Sequence, residues 1–345
     1  MSYVVDVYKK EIKPESSFVK FALYISFFPQ LIAGPIERAK DLLKELDKKN
    51  NFNYYNFSRG VKLILYGMFK KMVVADNLAK HVDLVFGNLN NYDSSYICIA
   101  IIFFSIQIYN DFSGYSDIAI GTARILGIKL NLNFNFPYFS KSFSEFWRRW
   151  HISLSNWFRD YLYIPLGGNR KSQFRVYINI IVVFLVSGLW HGANWTFIIW
   201  GGIHGLMLII ESIAKKIDFL AGVPKLIGSL FKRFYTIFFV IIAWVFFRAD
   251  DILDAFYIFD KIFDSSFTDL FVNIYKSITN NAELLLSFII MVLFLFIEYL
   301  CYFYKIHIRI QRSPIIIKYT VYSLFLISIL LFGVYNRSQF IYFQF

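Results

Sequence analysis

Apolar stretches long enough to cross a lipid bilayer recur from one end of this chain to the other. They fall at residues 17–36, 94–110, 176–190, 193–213, 229–247, 283–304 and 315–335. A hydrocarbon core about 30 Å thick is crossed by roughly 20 apolar residues in helical form, so the bilayer is the natural solvent for such a pattern. The expected fold class is therefore all-α and polytopic. Charged residues make up 17% of the chain, well under the quarter typical of soluble domains, and the mean hydropathy is +0.49.

The net charge of +12 is carried largely by short connections such as "KELDKK", "GGNRKSQFR", "AKK" and "KIHIRIQR". Basic loops between apolar spans follow the positive-inside tendency and the attraction of anionic lipid, so nucleic acid is not an expected partner. Cys98 and Cys301 both lie in apolar surroundings and form neither a metal-ligand spacing nor a disulfide framework. Residues 1–16 are polar and lack the apolar core of a cleavable signal. Without internal repeat or linker, residues 1–345 read as a single domain.

Three intervals fit the scheme of spans badly. Residues 57–80 are apolar at helical spacing but interrupted by Lys62, Lys70 and Lys71, and 111–128 mix small, polar and charged groups among aliphatics. Residues 142–165 are aromatic and charged at once. Such segments are expected to lie at the membrane interface or to re-enter from it. Projected at about 100° per residue, Phe143, Phe146, Trp147, Trp150, Leu154, Trp157, Phe158 and Tyr161 fall in one sector about 120° wide. Ser144, Glu145, Arg148, Arg149, Ser155, Asn156 and Arg159 fall opposite, with His151 at the seam. An interfacial helix with snorkelling arginines accounts for that pattern, except for a titratable ring at the boundary.

The stretch "SGLWHGANW", residues 187–195, carries a histidine and two glycines into an otherwise apolar hairpin. The spans on either side have basic outer ends, at Arg170, Lys171 and Arg175 and at Lys215 and Lys216, while the connection at 188–194 is uncharged. Both outer ends are expected in the cytoplasm. As a helix, 176–190 is about 22 Å long, short of the hydrocarbon core, so His191 is expected within the membrane beyond its midplane. A polar group at that depth marks a functional site unless a partner satisfies it. Gly188, Gly192, Gly201, Gly202 and Gly205 permit close helix contact or a widened passage. His204 reads as structural, and His81 and His307 as surface residues in polar loops.

A metal site is disfavoured, because there is no HExxH, cysteine pair or third ligand at useful spacing. A hydrolase triad is disfavoured too, since no nucleophile turn of the G-x-S-x-G kind appears. A histidine acting as general base beside a polar passage remains.

The stretches "SFFPQLIAGPIERA" (26–39), "QIYNDFSGYSDIAIG" (107–121), "FWRRWHISLSNWFRDYLYIPLGG" (146–168), "SGLWHGANWTFIIWGGIHG" (187–205) and "FIYFQF" (340–345) resemble the membrane-bound O-acyltransferase family. The likeness is closest to its alginate O-acetyltransferase membrane-subunit branch, and more distant to the teichoic acid D-alanyl transfer proteins. The resemblance implies a ring of helices with re-entrant segments around a central tunnel. It places the family's catalytic histidine on His191 and a second active-site residue on His151. It also implies helices before "VVDVY" that this chain lacks, and a cysteine where Asn110 stands.

The activity so implied is transfer of an acyl group, acetyl before others, from a cytoplasmic thioester, acetyl-coenzyme A or an acyl carrier protein, with no bound cofactor. The acceptor would be a hydroxyl of a cell-surface polysaccharide or of an extracytoplasmic partner protein, with the enzyme in the cytoplasmic membrane. His191 would act as base, and His151 would orient the acceptor or stabilise the oxyanion. Asp111, Asp117, Arg148, Trp190 and Asn194 are candidates for lining the passage. The competing readings are a proton-coupled transporter or polysaccharide-export component, a non-catalytic scaffold, and D-alanyl transfer to teichoic acid.

Overall fold

The computed structural model describes residues 2–31, 33–217, 224–335 and 340, so of the terminal "FIYFQF" only Phe340 can be placed. The described residues hold helices and no strand, and six of the helices are long and apolar enough to cross a membrane. These are α6 (Ser94–Ile125), α9 (Gln173–His191), α10 (Trp195–Ile217), α11 (Lys225–Arg248), α14 (Ala282–Tyr304) and α16 (Ile315–Phe332). The chain is an all-α polytopic membrane protein.

The apolar stretch at 17–36 is not a span. Its helix α2 (Phe18–Ile25) is 8 residues long, about 12 Å, and Pro29, Gly34 and Pro35 follow at once. The polar interval 111–128 does not re-enter either. Its helical part, up to Ile125, continues α6, which runs unbroken for 32 residues from an Asp93 cap whose carboxylate accepts from the N–H groups of Ser95 and Tyr96.

The reason lies in the interval 57–80, which forms the partner of α6. Helix α4 (Tyr54–Met68) passes through a wide π-helical stretch at Phe69–Ala75 into α5 (Asp76–Phe86), and this rod packs antiparallel to α6. Glycines set the approach: a Cβ on Gly67 would sit 2.5 Å from the carbonyl oxygen of Gly114, and one on Gly60 2.6 Å from that of Gly121. The lysines of the π-helical stretch meet the carboxylates of α6. Lys70 Nζ lies 2.9 Å from Asp117, and Lys71 Nζ lies 2.6 Å from Asp111 and 2.9 Å from Asp76. Small and charged residues that look like breaks in a span are therefore the contact face between two rods.

Nor is 142–165 one amphipathic helix. It divides into α7 (Phe143–Trp147), α8 (Ile152–Phe158) and a π-helical stretch at Arg159–Tyr163, with the break at His151. Trp150 reaches Tyr109 on α6 and Trp244 on α11, with ring centroids 6.1 and 5.0 Å apart. Tyr109 lies midway along α6, so this segment reaches the middle of that helix.

Charge separates the two ends of the bundle. The connections 87–93, 192–194 and 249–251 contain no Lys or Arg and carry Asp93, Asp250 and Asp251. Two of them are joined where Asn194 Nδ2 donates to the Asp250 carbonyl at 2.6 Å. Residues 126–172 and 305–314, at the other end, carry ten basic residues: Lys129, Lys141, Arg148, Arg149, Arg159, Arg170, Lys171, Lys305, Arg309 and Arg312.

Candidate active site

His151 occupies a conformation that an L-residue rarely adopts, with φ 41° and ψ 54°. Such a left-handed turn costs on the order of 1–3 kcal/mol and persists where its surroundings over-determine it. Asn133 supplies most of those surroundings. Its backbone carbonyl accepts from Ile152 N at 2.9 Å, and its Oδ1 accepts from Ser153 N at 3.3 Å and Ser153 Oγ at 2.9 Å. The same Oδ1 lies 3.1 Å from His151 Nδ1, and Nδ2 donates to Ser116 Oγ at 3.1 Å. The Asn133 side chain is completely buried.

These contacts assign the proton on His151. A backbone N–H can only donate, so the Asn133 atom it meets is the oxygen. An amide oxygen can only accept, so Nδ1 carries the hydrogen and Nε2 keeps its lone pair. The ring is clamped edge-on by Phe112 at 4.6 Å and stacks on Phe134 at 6.4 Å.

His191 is the last residue of α9, as the sequence hairpin requires. Gly192 follows with no room for a side chain, since a Cβ there would lie 2.4 Å from the Phe197 ring. The half-buried imidazole is flanked by Trp190, Trp200 and Phe247 at centroid distances of 4.9, 5.1 and 5.3 Å. His191 and His151 lie within electrostatic range of each other, although 40 residues separate them in sequence.

The wall between them is aromatic. Trp200 packs on Trp244 at 5.9 Å and on His204 at 5.1 Å, and Trp147 donates its Nε1–H to His204 Nδ1 at 3.3 Å. That bond makes Nε2 the protonated nitrogen of His204. His204 Nε2 and Trp200 Nε1 are buried donors with no hydrogen-bond partner among the described residues. Half of His204 is thus satisfied, in keeping with the structural reading, and half is not.

The other sequence candidates divide. Asp111 and Asp117 hold the lysines of the π-helical stretch. Arg148 is exposed and forms no ion pair among the described residues. Trp190 is exposed apart from its edge against His191. Asn194 caps α10 by accepting from Thr196 N and joins the hairpin to Asp250. His307 is exposed as expected but lies on the short helix Ile306–Arg312, and His81 is not in a polar loop either: it sits on α5, half-buried, 3.1 Å from Ser287 Oγ. Asn133 and Ser153 went unnoticed in the sequence. Asn131, Asn133 and Asn135 alternate in "NLNFNFPY", and nothing in that spacing tells which one turns inward.

Residues 7–248 match the sequence model of MBOAT, the membrane-bound O-acyltransferase family. Among curated proteins, the chain is 44% identical over 252 residues to a probable alginate O-acetylase of Azotobacter vinelandii, covering 73% of this chain and 49% of that protein. It is 44% identical over 246 residues to the peptidoglycan O-acetyltransferase of Helicobacter pylori, covering 70% and 46%. Similarity to the teichoic acid D-alanyltransferase of Streptococcus thermophilus is 30% over 215 residues, covering 57% and 51%. The chain spans about half the length of these relatives.

Proposed function

Because the chain belongs to the membrane-bound O-acyltransferase family, we propose that it transfers an acyl group, acetyl before others, from a cytoplasmic thioester to a hydroxyl presented at the opposite face of the membrane. The observation that supports the reading is that two imidazoles from distant parts of the chain lie within electrostatic range of each other among aromatic rings. His151 arrives on a segment from the basic end, and His191 on a hairpin whose turn belongs to the acidic end. Basic connections favour the cytoplasmic side, so the donor enters from the basic end and the acceptor from the acidic one.

His191 acts as general base. It removes the acceptor's hydroxyl proton as the oxygen attacks the thioester carbonyl carbon. The tetrahedral intermediate then collapses, the C–S bond breaks, and His191 returns the proton to the departing thiolate. The products are an ester and a thiol, with no net proton change. His151, held with Nε2 unprotonated, accepts a hydrogen bond from the acceptor and orients it. That tautomer cannot donate to an oxyanion, so the donors for that charge are the buried N–H groups of His204 and Trp200.

The relatives named for alginate and peptidoglycan acetylation support an envelope glycan as acceptor. The D-alanyltransferase relatives keep D-alanine as the second acyl group. Reconstitution with labelled acetyl-coenzyme A trapped on the basic side tests the proposal. Label should reach an acceptor on the other side, and His191→Ala should stop it. Proton flux without acyl transfer would instead support a transporter built on the buried Lys70 and Lys71 ion pairs.

A further inference from the structure

The acidic end of the bundle holds a cavity of about 550 Å³ between the α5–α6 connection and helix α12 (Ile252–Phe263). That volume lies in the ordinary range of small-ligand sites. Asn88, Asn90 and Asn91 line one side; Asp250, Asp254 and Tyr257 line the other. None of the three asparagine side chains hydrogen-bonds to another described residue, so each presents an amide donor and acceptor outward. Planar amides and carboxylates match pairs of neighbouring hydroxyls, and Tyr257 and the exposed Leu253 supply apolar surface for the C–H faces of a sugar ring.

Charge narrows the ligand. Of the cations nearby, Arg248 is engaged by Asp83 at 3.1 Å and Asp250 at 3.7 Å and lies over the Phe86 ring. Lys261 donates to the Tyr92 carbonyl and covers one face of Tyr257. The Asp254 carboxyl is held above its usual range by burial and by its neighbours Asp251 and Asp250, as expected where carboxylates outnumber available cations. A polyuronate entering this cavity would meet like charge. The cavity is also joined to the catalytic hairpin, because Asn194, three residues after His191, donates to the carbonyl of Asp250.

We propose that this cavity docks the acceptor glycan, and that it takes a neutral, hydroxyl-rich segment in preference to a polyuronate. The assignment rests on the reading that the acceptor arrives from this end. Asp254's backbone N–H is capped by Asp251, and its carboxylate takes no hydrogen bond among the described residues, so Asp254→Asn is not expected to disturb the fold.

The test uses the whole chain in lipid nanodiscs and saturation-transfer NMR with two probes, an N-acetylglucosamine tetrasaccharide and a guluronate tetrasaccharide. The neutral probe should bind at least tenfold tighter. Asn88→Ala combined with Asn91→Ala should weaken it about tenfold, and Asp250→Asn combined with Asp254→Asn should bring the uronate within about threefold of it. Absent binding of the neutral probe, binding unchanged in the asparagine variant, or equal binding of the two probes by the wild type would each overturn the proposal. So would photo-crosslinking from position 90 that captures a protein in place of glycan. His191→Ala should bind the neutral probe like the wild type. Intact binding by a wild type that transfers no acyl group would overturn the acyl-transfer reading alone.

Discussion

Replacing Asn133 separates a residue that positions His151 from one that merely fills space. Asn133→Leu keeps the volume and removes every polar contact of the side chain. It strands the N–H and hydroxyl of Ser153, the His151 Nδ1–H and the Ser116 hydroxyl, on residues that are 6, 3 and 2% exposed. A buried polar group left without a partner costs about 1–3 kcal/mol, and partial relaxation of these groups brings the expected loss to about 4 kcal/mol. Asn133→Asp is the informative companion. One carboxylate oxygen can accept the three bonds now made to Oδ1, and the other can accept from the Ser116 hydroxyl once it rotates, so the stability loss should stay near 1 kcal/mol. The added charge stands beside Nδ1–H and makes the far nitrogen of His151 more basic. Nε2 is then protonated at higher pH, and the acid limb of the pH–rate profile moves up. The assay is kcat/KM for acetyl transfer in proteoliposomes across pH, with thermal unfolding measured on the same preparations. Asn133→Leu, assayed well below its unfolding temperature, should lose at least about a hundredfold because the imidazole is no longer held in one tautomer. A folded Asn133→Leu protein within about a factor of three of wild type, or an Asn133→Asp profile that does not move, would refute the positioning argument.

Three further outcomes are expected. His191→Ala should abolish transfer while unfolding within a few degrees of wild type, since the ring is half-buried at a helix end; retained acetylation of a glycan acceptor would sink its role as base. Lys71→Met should leave the carboxylates of Asp76 and Asp111 without their shared cation in a buried setting, costing about 3–5 kcal/mol and lowering the yield of folded protein in detergent, which size-exclusion profiles would report. Glu37 is 6% exposed, and burial raises its carboxyl from 4.5 to about 7. Folding therefore takes up a proton between those values: stability is highest below pH 4.5, falls by about 3 kcal/mol in total as pH rises to 7, and is flat above, a slope that Glu37→Gln should remove in denaturant titrations.

Five of the six long helices were legible because an apolar run of span length has one good use in a chain of this composition. The sixth, α6, was cut at residue 110 for an instructive reason. Asp111, Gly114, Asp117 and Gly121 look like a break when read along the chain. Their partners Lys71, Gly67, Lys70 and Gly60 lie roughly 40 to 60 residues upstream, where no periodicity can point to them. The projection of 142–165 failed differently. One left-handed residue, His151, resets the helical phase, and the φ of a histidine is not written in its neighbours. The same two facts decided which site residues could be read. His191 and His151 stood out as titratable rings in apolar company. Asn133 sat in a loop whose polarity looked ordinary, and its importance comes wholly from where the fold turns it.

The ion pairs between the α4–α5 rod and α6 also bear on how the chain enters its membrane. Lys70 is synthesised well before Asp117, the carboxylate on α6 that pairs with it in the finished protein, whereas Lys71 has Asp76 on its own rod and gains Asp111 later. Within hydrocarbon an uncompensated lysine costs about 2.5–3.5 kcal/mol, so Lys70 disfavours insertion of the rod by itself as it leaves the ribosome. Once α6 follows, Lys70 gains Asp117 and Lys71 gains Asp111 beside Asp76, and the glycines at 60, 67, 114 and 121 let the backbones close on one another. Residues 54–125 are thus a unit of insertion, committed to the bilayer as a hairpin only after its second arm has been made.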